Sequence, residues 1–341
     1  MSVFEIFLFA FNAIMPIVLL ILLGFFLKRI SIFNDDFLKT ADNFLFKIAL
    51  PVLLFFNVYN IAALDEIQWS TVIFILGAIF ILFISGFVFS KLFIKDNRQK
   101  GVVWQSFYRS NFAIIGLPLA QALGAEEGVA VASIASAFSI PLFNVFAVIS
   151  LSAFISDDEK NKISVKDTLI KITKNPLIIG VFTGLVFLCI RQFIPKDAAG
   201  EYVFSIRNDL SFLYKAIEML SKVASPMMLI VLGAKFRFDA IKELKKQIAI
   251  GSVARIIFAP LFGIISAIIL SEATDFFTFT PAHYATFIAL FGSPVAVSSA
   301  IMASQMKNDD QLANQILVWT SIASMFTIFA IVVIMKSVRL L

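Results

Sequence analysis

Long runs of apolar residues, separated by short charged segments, dominate this chain. A helix that crosses a bilayer needs about 20 mostly apolar residues, and ten stretches come near that length. The connections between them are too short to hold a soluble domain. The pattern therefore predicts an all-α integral membrane protein with ten transmembrane helices, called spans 1 to 10 here. The spans cover residues 5–27, 38–60, 70–93, 101–123, 128–155, 173–192, 212–234, 247–270, 283–305 and 311–335.

The composition agrees with this pattern. Hydrophobic residues make up 60% of the 341 residues, charged residues make up 15%, and the mean hydropathy is +0.94. Soluble domains are closer to half apolar and a quarter charged. The chain has one Cys and one His, so an internal disulfide and a Cys/His metal cluster are excluded. We expect neither a metal nor a cofactor.

Lys and Arg residues concentrate in the loops that follow the odd-numbered spans. The positive-inside rule places those loops in the cytoplasm and both termini outside. The net charge of +5 is therefore a topology signal. We expect the bilayer, and no nucleic acid, to be the partner of this basic chain.

Several short motifs recur between the two halves of the chain. SIASAF at 133–138 returns as SIASMF at 321–326, and KIALP at 47–51 returns as KVASP at 222–226. Each match relates a span to the span five later. Because five is odd, the second unit must enter the membrane from the opposite side, as in the inverted repeats of secondary transporters. We predict repeats over 1–156 and 173–341, joined by a short cytoplasmic linker at 157–172.

Spans 4 and 9 share a Gly-x-Pro pair, Gly116 with Pro118 and Gly292 with Pro294. Proline removes a helix hydrogen bond, and a nearby glycine adds backbone freedom. The pattern predicts two broken helices that cross near the membrane centre. Such breaks are tolerated beside protein or a water-filled cavity, and helix N-termini there favour an anion.

Polar residues cluster around the two predicted breaks. Arg109 lies about nine residues into span 4, or about 13 Å at 1.5 Å per residue, and a cation at that depth indicates a functional site. Its planar guanidinium can donate two parallel hydrogen bonds to a carboxylate or phosphate. The candidate substrate-binding residues are Arg109, Ser110, Asn111, Gly116, Pro118, Gln121, Gly292, Ser293, Pro294, Ser298 and Ser299.

Four other charges lie deep in predicted spans and are candidates for coupling or structural roles: Lys47, Glu218, Lys222 and Arg255. Glu218 stands four residues before Lys222, so the two can form an ion pair on one helix face. Spans 4 and 9 carry no carboxylate beside the predicted crossing. The site therefore favours an anionic substrate, and H⁺ and Na⁺ both stay open as coupling ions.

These residues resemble the auxin efflux carrier family, which includes bacterial malate and malonate permeases and the plant PIN-FORMED carriers. RSNFAIIGLPL at 109–119 looks like the span-4 signature of the family, and SKVASPMMLIVLGAKF at 221–236 looks like its span-7 pattern. LPVLLF at 50–55 fits its span 2. The similarity covers nearly the whole chain.

The resemblance implies two inverted five-helix units, a scaffold and a transport domain, and elevator-type movement. It implies that helices 4 and 9 cross at Pro118 and Pro294, with an organic anion beside the crossing and Asn111 as a family position. It also implies a bacterial cytoplasmic membrane and a homodimer. The plant carriers have Pro-Asn where this chain has Ser110-Asn111, which favours a small mono- or dicarboxylate over an auxin-like acid.

Two alternatives to a carrier for organic anions stay open, namely an anion channel on the same fold and a sodium/organic-anion symporter of the bile-acid type. An enzyme is not expected, since no nucleophile and base come together in the sequence. A phosphate-binding Gly-Lys-Ser/Thr motif is also missing, so ATP does not drive the chain directly.

Overall fold

The computed structural model describes residues 3–60, 68–112, 116–155, 173–195 and 202–341. Over these residues the chain is helical, and its one extended pairing is an isolated bridge. The predicted linker at 157–172 lies outside the described residues. Six of the described helical stretches are long and apolar enough to cross a membrane, which agrees with a multi-pass membrane protein. They are Asp35–Tyr59, Trp69–Phe93, Glu127–Ser152, Ser211–Lys235, Ala240–Ala273 and Asp310–Ser337.

The helices are numbered in chain order. The first half contains α1 (Val3–Arg29), α2 (Asp35–Phe44), α3 (Leu50–Tyr59), α4 (Trp69–Phe93), α5 (Asn97–Tyr108) and α6 (Leu117–Ser152). The second half contains α7 (Pro176–Gln192), α8 (Ile206–Asp209), α9 (Ser211–Lys235), α10 (Ala240–Val253), α11 (Ala259–Ala273), α12 (Pro281–Gly292), α13 (Ser298–Gln305) and α14 (Asp310–Ser337).

Two helices are widened by a π-helical turn and continue beyond it. Leu45–Ala49 joins α2 to α3, and Ala254–Phe258 joins α10 to α11. A proline follows each turn within two residues, at Pro51 and Pro260. Proline has no N–H to donate to the preceding turn, so a local widening accommodates it without ending the helix. The predicted spans 2 and 8 are therefore each one continuous stretch.

The predicted boundary between spans 4 and 5, at residues 123–128, is corrected by the structure. Helix α6 runs from Leu117 to Ser152 without a turn, over 36 residues. The segment at 123–128, LGAEEG, contains strong helix formers in Leu, Ala and Glu, and its two glycines do not end the helix. In the second half a turn at 306–309 does separate α13 from α14, with Lys307 at φ 61°.

Helices α1 and α9 approach until their backbones touch. A methyl group on Gly24 would collide with the carbonyl of Ile230, and one on Gly233 would collide with the backbone of Ile21. A similar contact joins α7 to α3, where Gly184 packs against Val58 and the Phe55 carbonyl. Without a hydrophobic driving force in lipid, close packing of small residues is a main source of helix association.

Two hydrophobic cores divide the described helices. The first is formed mainly by α1–α3, α7, α9, α13 and the start of α14. The second is formed mainly by α4, α6, α11 and α12, with the end of α14. Val295 belongs to the first core and Phe112 to the second, so the segments between α12 and α13 and after α5 lie where the cores meet. Large apolar side chains such as Leu22, Phe80 and Phe182 stay exposed on the outside, as expected for a lipid-facing surface.

We expect Gly24→Ala to lower the free energy of unfolding by about 1–3 kcal/mol, because the methyl group forces α1 and α9 apart. Gly77 on α4 is the matched control, since a methyl group there meets nothing within 4 Å. Gly77→Ala should be neutral or raise stability by up to about 1 kcal/mol. Thermal unfolding of both variants in detergent measures the difference, and equal midpoints would contradict the close contact.

Candidate functional site

The two segments that interrupt the helices pair with each other through their backbones. Helix α5 ends at Tyr108 and α12 ends at Gly292, and the chain continues from each in extended form. Ser110 and Val295 then form an antiparallel bridge. The Asn111 amide donates to the Pro294 carbonyl at 2.8 Å, and the Ala296 amide donates to the Arg109 carbonyl at 3.4 Å. Each broken helix thus supplies partners for backbone groups that the other leaves free.

The expected crossing at Pro118 and Pro294 stays a prediction, and the two prolines differ in their part in the backbone pairing. Pro294 contributes its carbonyl to the pairing, whereas Pro118 is the second residue of α6 and lies beyond the paired segment 109–111. Pro118 lies two residues after Gly116, which has π-helical backbone, just as Pro51 and Pro260 follow their π-helical turns.

Arg109 lies at the centre of this junction, with 1% of its surface exposed. Its guanidinium donates to Gln105 Oε1 at 2.5 Å, to Asn144 Oδ1 at 3.1 Å and to Ser298 Oγ at 2.8 Å. It also contacts Met302 Sδ at 3.0 Å. One cation therefore links α5, α6 and α13.

No acidic side chain balances this cation in the part of the chain that the structure describes. The ion pairs found there are Lys28–Asp35, Glu218–Lys222, Asp42–Lys235 and Arg237–Asp239, and none includes Arg109. Buried charges are normally paired. Helix α13 begins at Ser298, beside the guanidinium, and its N-terminal dipole adds positive potential. The junction is thus an electropositive site that an anion would complete.

A cavity of about 60 Å³ opens against Arg109. A cavity needs roughly 10–15 Å³ to hold one water molecule, so the space is large enough for a few waters or the carboxylate end of a small acid. Helices α3, α5, α6, α9 and α13 or their adjoining segments contribute to the wall. The lining residues are Leu54, Asn57, Arg109, Ser110, Asn111, Ile140, Phe143, Asn144, Met228, Ala296, Val297 and Ser298.

Four of the predicted substrate-binding residues line this cavity, namely Arg109, Ser110, Asn111 and Ser298. The Ser110 hydroxyl is buried and has no hydrogen-bond partner among the described residues. An unpaired buried hydroxyl is costly, so it is available to a ligand. These four residues come from both interrupted segments, which the sequence placed in opposite halves of the chain.

The other predicted serines lie beside the cavity and are engaged within their own segment. The Ser293 hydroxyl donates to the Ala289 carbonyl at 2.6 Å, and the Ser299 hydroxyl donates to the Ala296 carbonyl at 2.7 Å. Neither residue lines the cavity. Their role in binding stays a prediction.

The remaining predicted residues shape the backbone around the junction. Gly116 is buried directly before α6, and a methyl group there would strike the Phe112 ring. Gly292 is the last residue of α12. The side chain of Gln121 lies outside what the structure describes.

Two asparagines that the sequence analysis did not single out belong to the cavity wall, Asn57 of α3 and Asn144 of α6. Asn144 donates to the Ile140 carbonyl at 2.8 Å and accepts from Arg109. Both occur in the same tripeptide, Phe-Asn-Val, within otherwise apolar helices. A polar amide within an apolar membrane helix indicates a functional site. This feature of the sequence could have identified both asparagines.

The predicted pair of Glu218 and Lys222 forms, with 2.6 Å between Oε1 and Nζ. The Lys222 side chain is 70% exposed, and neither residue lines the cavity. Lys47 is exposed on the π-helical turn between α2 and α3. These three charges therefore lie away from Arg109, and a role in coupling stays a prediction for them.

Arg255 is fully buried on the second π-helical turn. Its guanidinium donates to the carbonyl of Phe291, one residue before the end of α12. A cation at a helix C-terminus offsets the negative end of the helix dipole. This contact supports a structural role for Arg255, since it holds the end of the interrupted helix.

The chain is similar in sequence to known membrane transport proteins. A family model described as membrane transport protein matches residues 9–332. An uncharacterized transporter of the archaeon Methanocaldococcus jannaschii is 24% identical over 257 residues, which is 73% of this chain and 76% of that protein. The match to the family model covers both interrupted segments and every residue of the cavity wall.

The hydroxyl of Thr320 on α14 accepts from the Val295 amide at 3.3 Å and so supports the extended segment. We expect Thr320→Val to lower the free energy of unfolding by about 1–3 kcal/mol, because it leaves a buried N–H without a partner. Thr286→Val is the matched control, since that buried hydroxyl donates only to Ala282 in its own helix. Thermal unfolding in detergent compares them, and a larger loss at Thr286 would contradict the role of Thr320.

Proposed function

Because the chain belongs to the membrane transport protein family of auxin efflux carriers, we propose that it carries a small organic anion across a bacterial cytoplasmic membrane. The anion binds between the two interrupted helices and is released on the other side by alternating access. The substrate class is a mono- or dicarboxylate of the malate or malonate type, with an auxin-like acid as the less favoured candidate. The chain needs no cofactor and catalyses no reaction in this proposal.

One observation carries the proposal, and it is the state of Arg109. The residue is buried, no described carboxylate pairs with it, and its charge lies against a cavity. A planar guanidinium binds a carboxylate through two parallel hydrogen bonds. Ser110, Asn111 and Ser298 surround the same space with groups that donate hydrogen bonds. A substrate carboxylate would supply the negative charge that no described side chain provides beside Arg109.

The cavity wall argues against a cationic substrate. Beside Arg109 its lining residues include five with an amide or hydroxyl side chain and no Asp or Glu; the five are Asn57, Ser110, Asn111, Asn144 and Ser298. A bound cation such as Na⁺ is held by several oxygen ligands, often from carboxylates. We therefore place any coupling ion, H⁺ or Na⁺, away from this cavity.

The close helix contacts support an inverted repeat. Gly24 of α1 packs on the Ile230 carbonyl of α9, and Gly184 of α7 packs on the Phe55 carbonyl of α3. Spans 1 and 6, and spans 2 and 7, are the pairs that the repeat relates, so the same helix pairing occurs twice. The two hydrophobic cores support a division into a scaffold and a transport domain that move as an elevator. Ten spans, outside termini and a homodimer belong to the same proposal.

Counterflow in proteoliposomes tests the function. Vesicles are preloaded with malate, a trace of labelled malate is added outside, and uptake is followed with and without a proton or sodium gradient. A carrier gives transient accumulation of the label, because bound substrate exchanges across a moving barrier. An anion channel gives equilibration without accumulation, and a sodium symporter requires Na⁺. If malonate, malate and indole acetate all fail with folded protein, the proposed substrate class is wrong.

We expect Arg109→Ala to abolish counterflow, with at least about a 100-fold loss of rate, because it removes a charge-assisted bidentate contact. The protein should still reach the membrane. Arg237→Ala is the control, since Arg237 is an exposed residue paired with Asp239 outside the cavity. Normal transport by well-expressed Arg109→Ala protein would show that Arg109 does not bind the substrate carboxylate.

We expect Asn111→Ala to raise the half-saturating substrate concentration about tenfold or more, since a hydrogen bond to a charged group contributes about 1.5–3 kcal/mol. The maximal rate should change less, because the backbone pairing of residue 111 with Pro294 does not need the side chain. Asn97→Ala, at the exposed start of α5, is the control. Initial rates over a range of substrate concentrations measure the effect, and unchanged kinetics would take Asn111 out of the site.

A further inference from the structure

A second buried charge cluster lies at the end of the helices where the Lys-rich loops begin. Asp42 of α2 pairs with Lys235, the last residue of α9, and the two side chains are 4% and 19% exposed. Ser304 of α13 donates to Asp42 Oδ2 at 3.3 Å and lies 3.4 Å from Lys235 Nζ. We call Asp42, Lys235 and Ser304 the inner cluster. It joins three helices and lies outside the anion cavity.

Helix α13 connects the inner cluster to the cavity. Its first residue, Ser298, accepts a hydrogen bond from Arg109, and Ser304 lies six residues later in the same helix. Six residues of α-helix span about 9 Å. A helix this short moves as a rigid body, so a shift of its cavity end also shifts Ser304 against Asp42 and Lys235.

The start of α14 is tied to the same end of α9. Gln311 donates to the Lys235 carbonyl at 3.4 Å, and Gln315 donates to the Arg237 carbonyl at 2.6 Å. By the positive-inside rule this end faces the cytoplasm. The inner cluster and these two hydrogen bonds therefore hold the cytoplasmic end of α9 against α13 and α14.

The ion pair is incompletely satisfied. Asp42 Oδ1 is buried and has no hydrogen-bond partner among the described residues. The groups that face Asp42 are Lys235 from α9, Ser304 from α13 and Asp310 from α14, whose negative charge opposes that of Asp42. A buried pair of this kind is strongly weakened when one partner loses its charge. A proton on Asp42 would have that effect.

We propose that Asp42 and Lys235 form a proton-sensitive latch that holds the cytoplasmic end of α13 closed, and that proton uptake by Asp42 releases it. The effect of the latch on transport rests on the proposed function, since release would open the anion site to the cytoplasm. The latch itself is a property of the folded chain and needs no substrate. Asp42 is thus a positioning residue that acts on the cavity through α13.

Hydrogen–deuterium exchange of the full-length protein in nanodiscs tests the latch without any ligand. We expect Asp42→Asn to raise amide exchange in α13 and at the end of α9 at least about tenfold, because local opening becomes easier. Asp35→Asn is the matched control on the same helix, since Asp35 forms an exposed pair with Lys28. Equal exchange in the Asp42 and Asp35 variants would overturn the latch.

The pH dependence separates a proton-sensitive latch from a purely structural pair. In the native protein, exchange in α13, corrected for the intrinsic rate, should rise as pH falls and Asp42 gains a proton. In Asp42→Asn it should be high and independent of pH. Asp310→Asn should keep a pH response but move it to lower pH, because it removes a negative charge that favours the protonated form of Asp42. A flat native profile, or one lost in the Asp310 variant and kept in the Asp42 variant, would contradict the assignment.

The double exchange Asp42→Lys with Lys235→Asp covers the case in which Asp42→Asn fails to fold. It restores an ion pair with a titratable carboxyl, so protection and its pH response should both return. Failure of the folded double variant to regain protection would show that the charge pair is not the latch. Counterflow at different internal pH is measured separately. If the native protein shows no counterflow at any pH while its amide exchange in α13 still responds to pH, the proposed function is refuted and the latch is not.

Discussion

The pairing of Asn111 with Pro294, and of Ala296 with Arg109, is the contact on which the rest of the structure depends. A helix that breaks inside a membrane exposes amides and carbonyls where no water can bind them, at several kcal/mol for each group left unpaired. Here each broken helix supplies partners for the other. The two halves of the chain must therefore meet at this place, and the cavity, the guanidinium of Arg109 and the start of α13 are positioned as a consequence.

Around this backbone contact, polar side chains from three helices accept hydrogen bonds from the guanidinium of Arg109. Gln105, Asn144 and Ser298 all accept from Arg109. Neutral acceptors stabilise a buried cation and leave its net charge uncompensated, unlike the carboxylate that binds Lys235 at the inner cluster. The molecule thus treats its buried cations differently. Lys235 is neutralised by Asp42, Arg255 is held by a carbonyl near the end of α12, and Arg109 is left for a ligand. Within α13, Ser304 contacts Lys235 and Ser298 contacts Arg109.

Much of this arrangement was predictable, because lipid places strict demands on sequence. Apolar length predicted the helices, and the position of Arg109, Ser110 and Asn111 in an apolar span predicted part of the cavity wall. The part of Pro118 in the pairing was harder to predict, because a proline occurs both at helix interruptions and near helix starts, and the local sequence does not distinguish the two. Helix α6 continues through 123–128 although that segment contains two glycines, Gly124 and Gly128, because Leu, Ala and Glu are strong helix formers. Asn57 and Asn144 were missed because their helices bring them to the cavity only through tertiary packing.

The length of α6 has a mechanical consequence. At 1.5 Å per residue its 36 residues extend about 54 Å, well beyond a hydrocarbon core of about 30 Å. It begins just after the paired segments, with α12 packed along its first turns through Gly124 and Ala285. A continuous helix of that length can act as a lever arm. A tilt of about 5° at the junction displaces its far end by about 5 Å, by the same rise per residue, so a small rearrangement around a bound anion becomes a large displacement at the opposite surface.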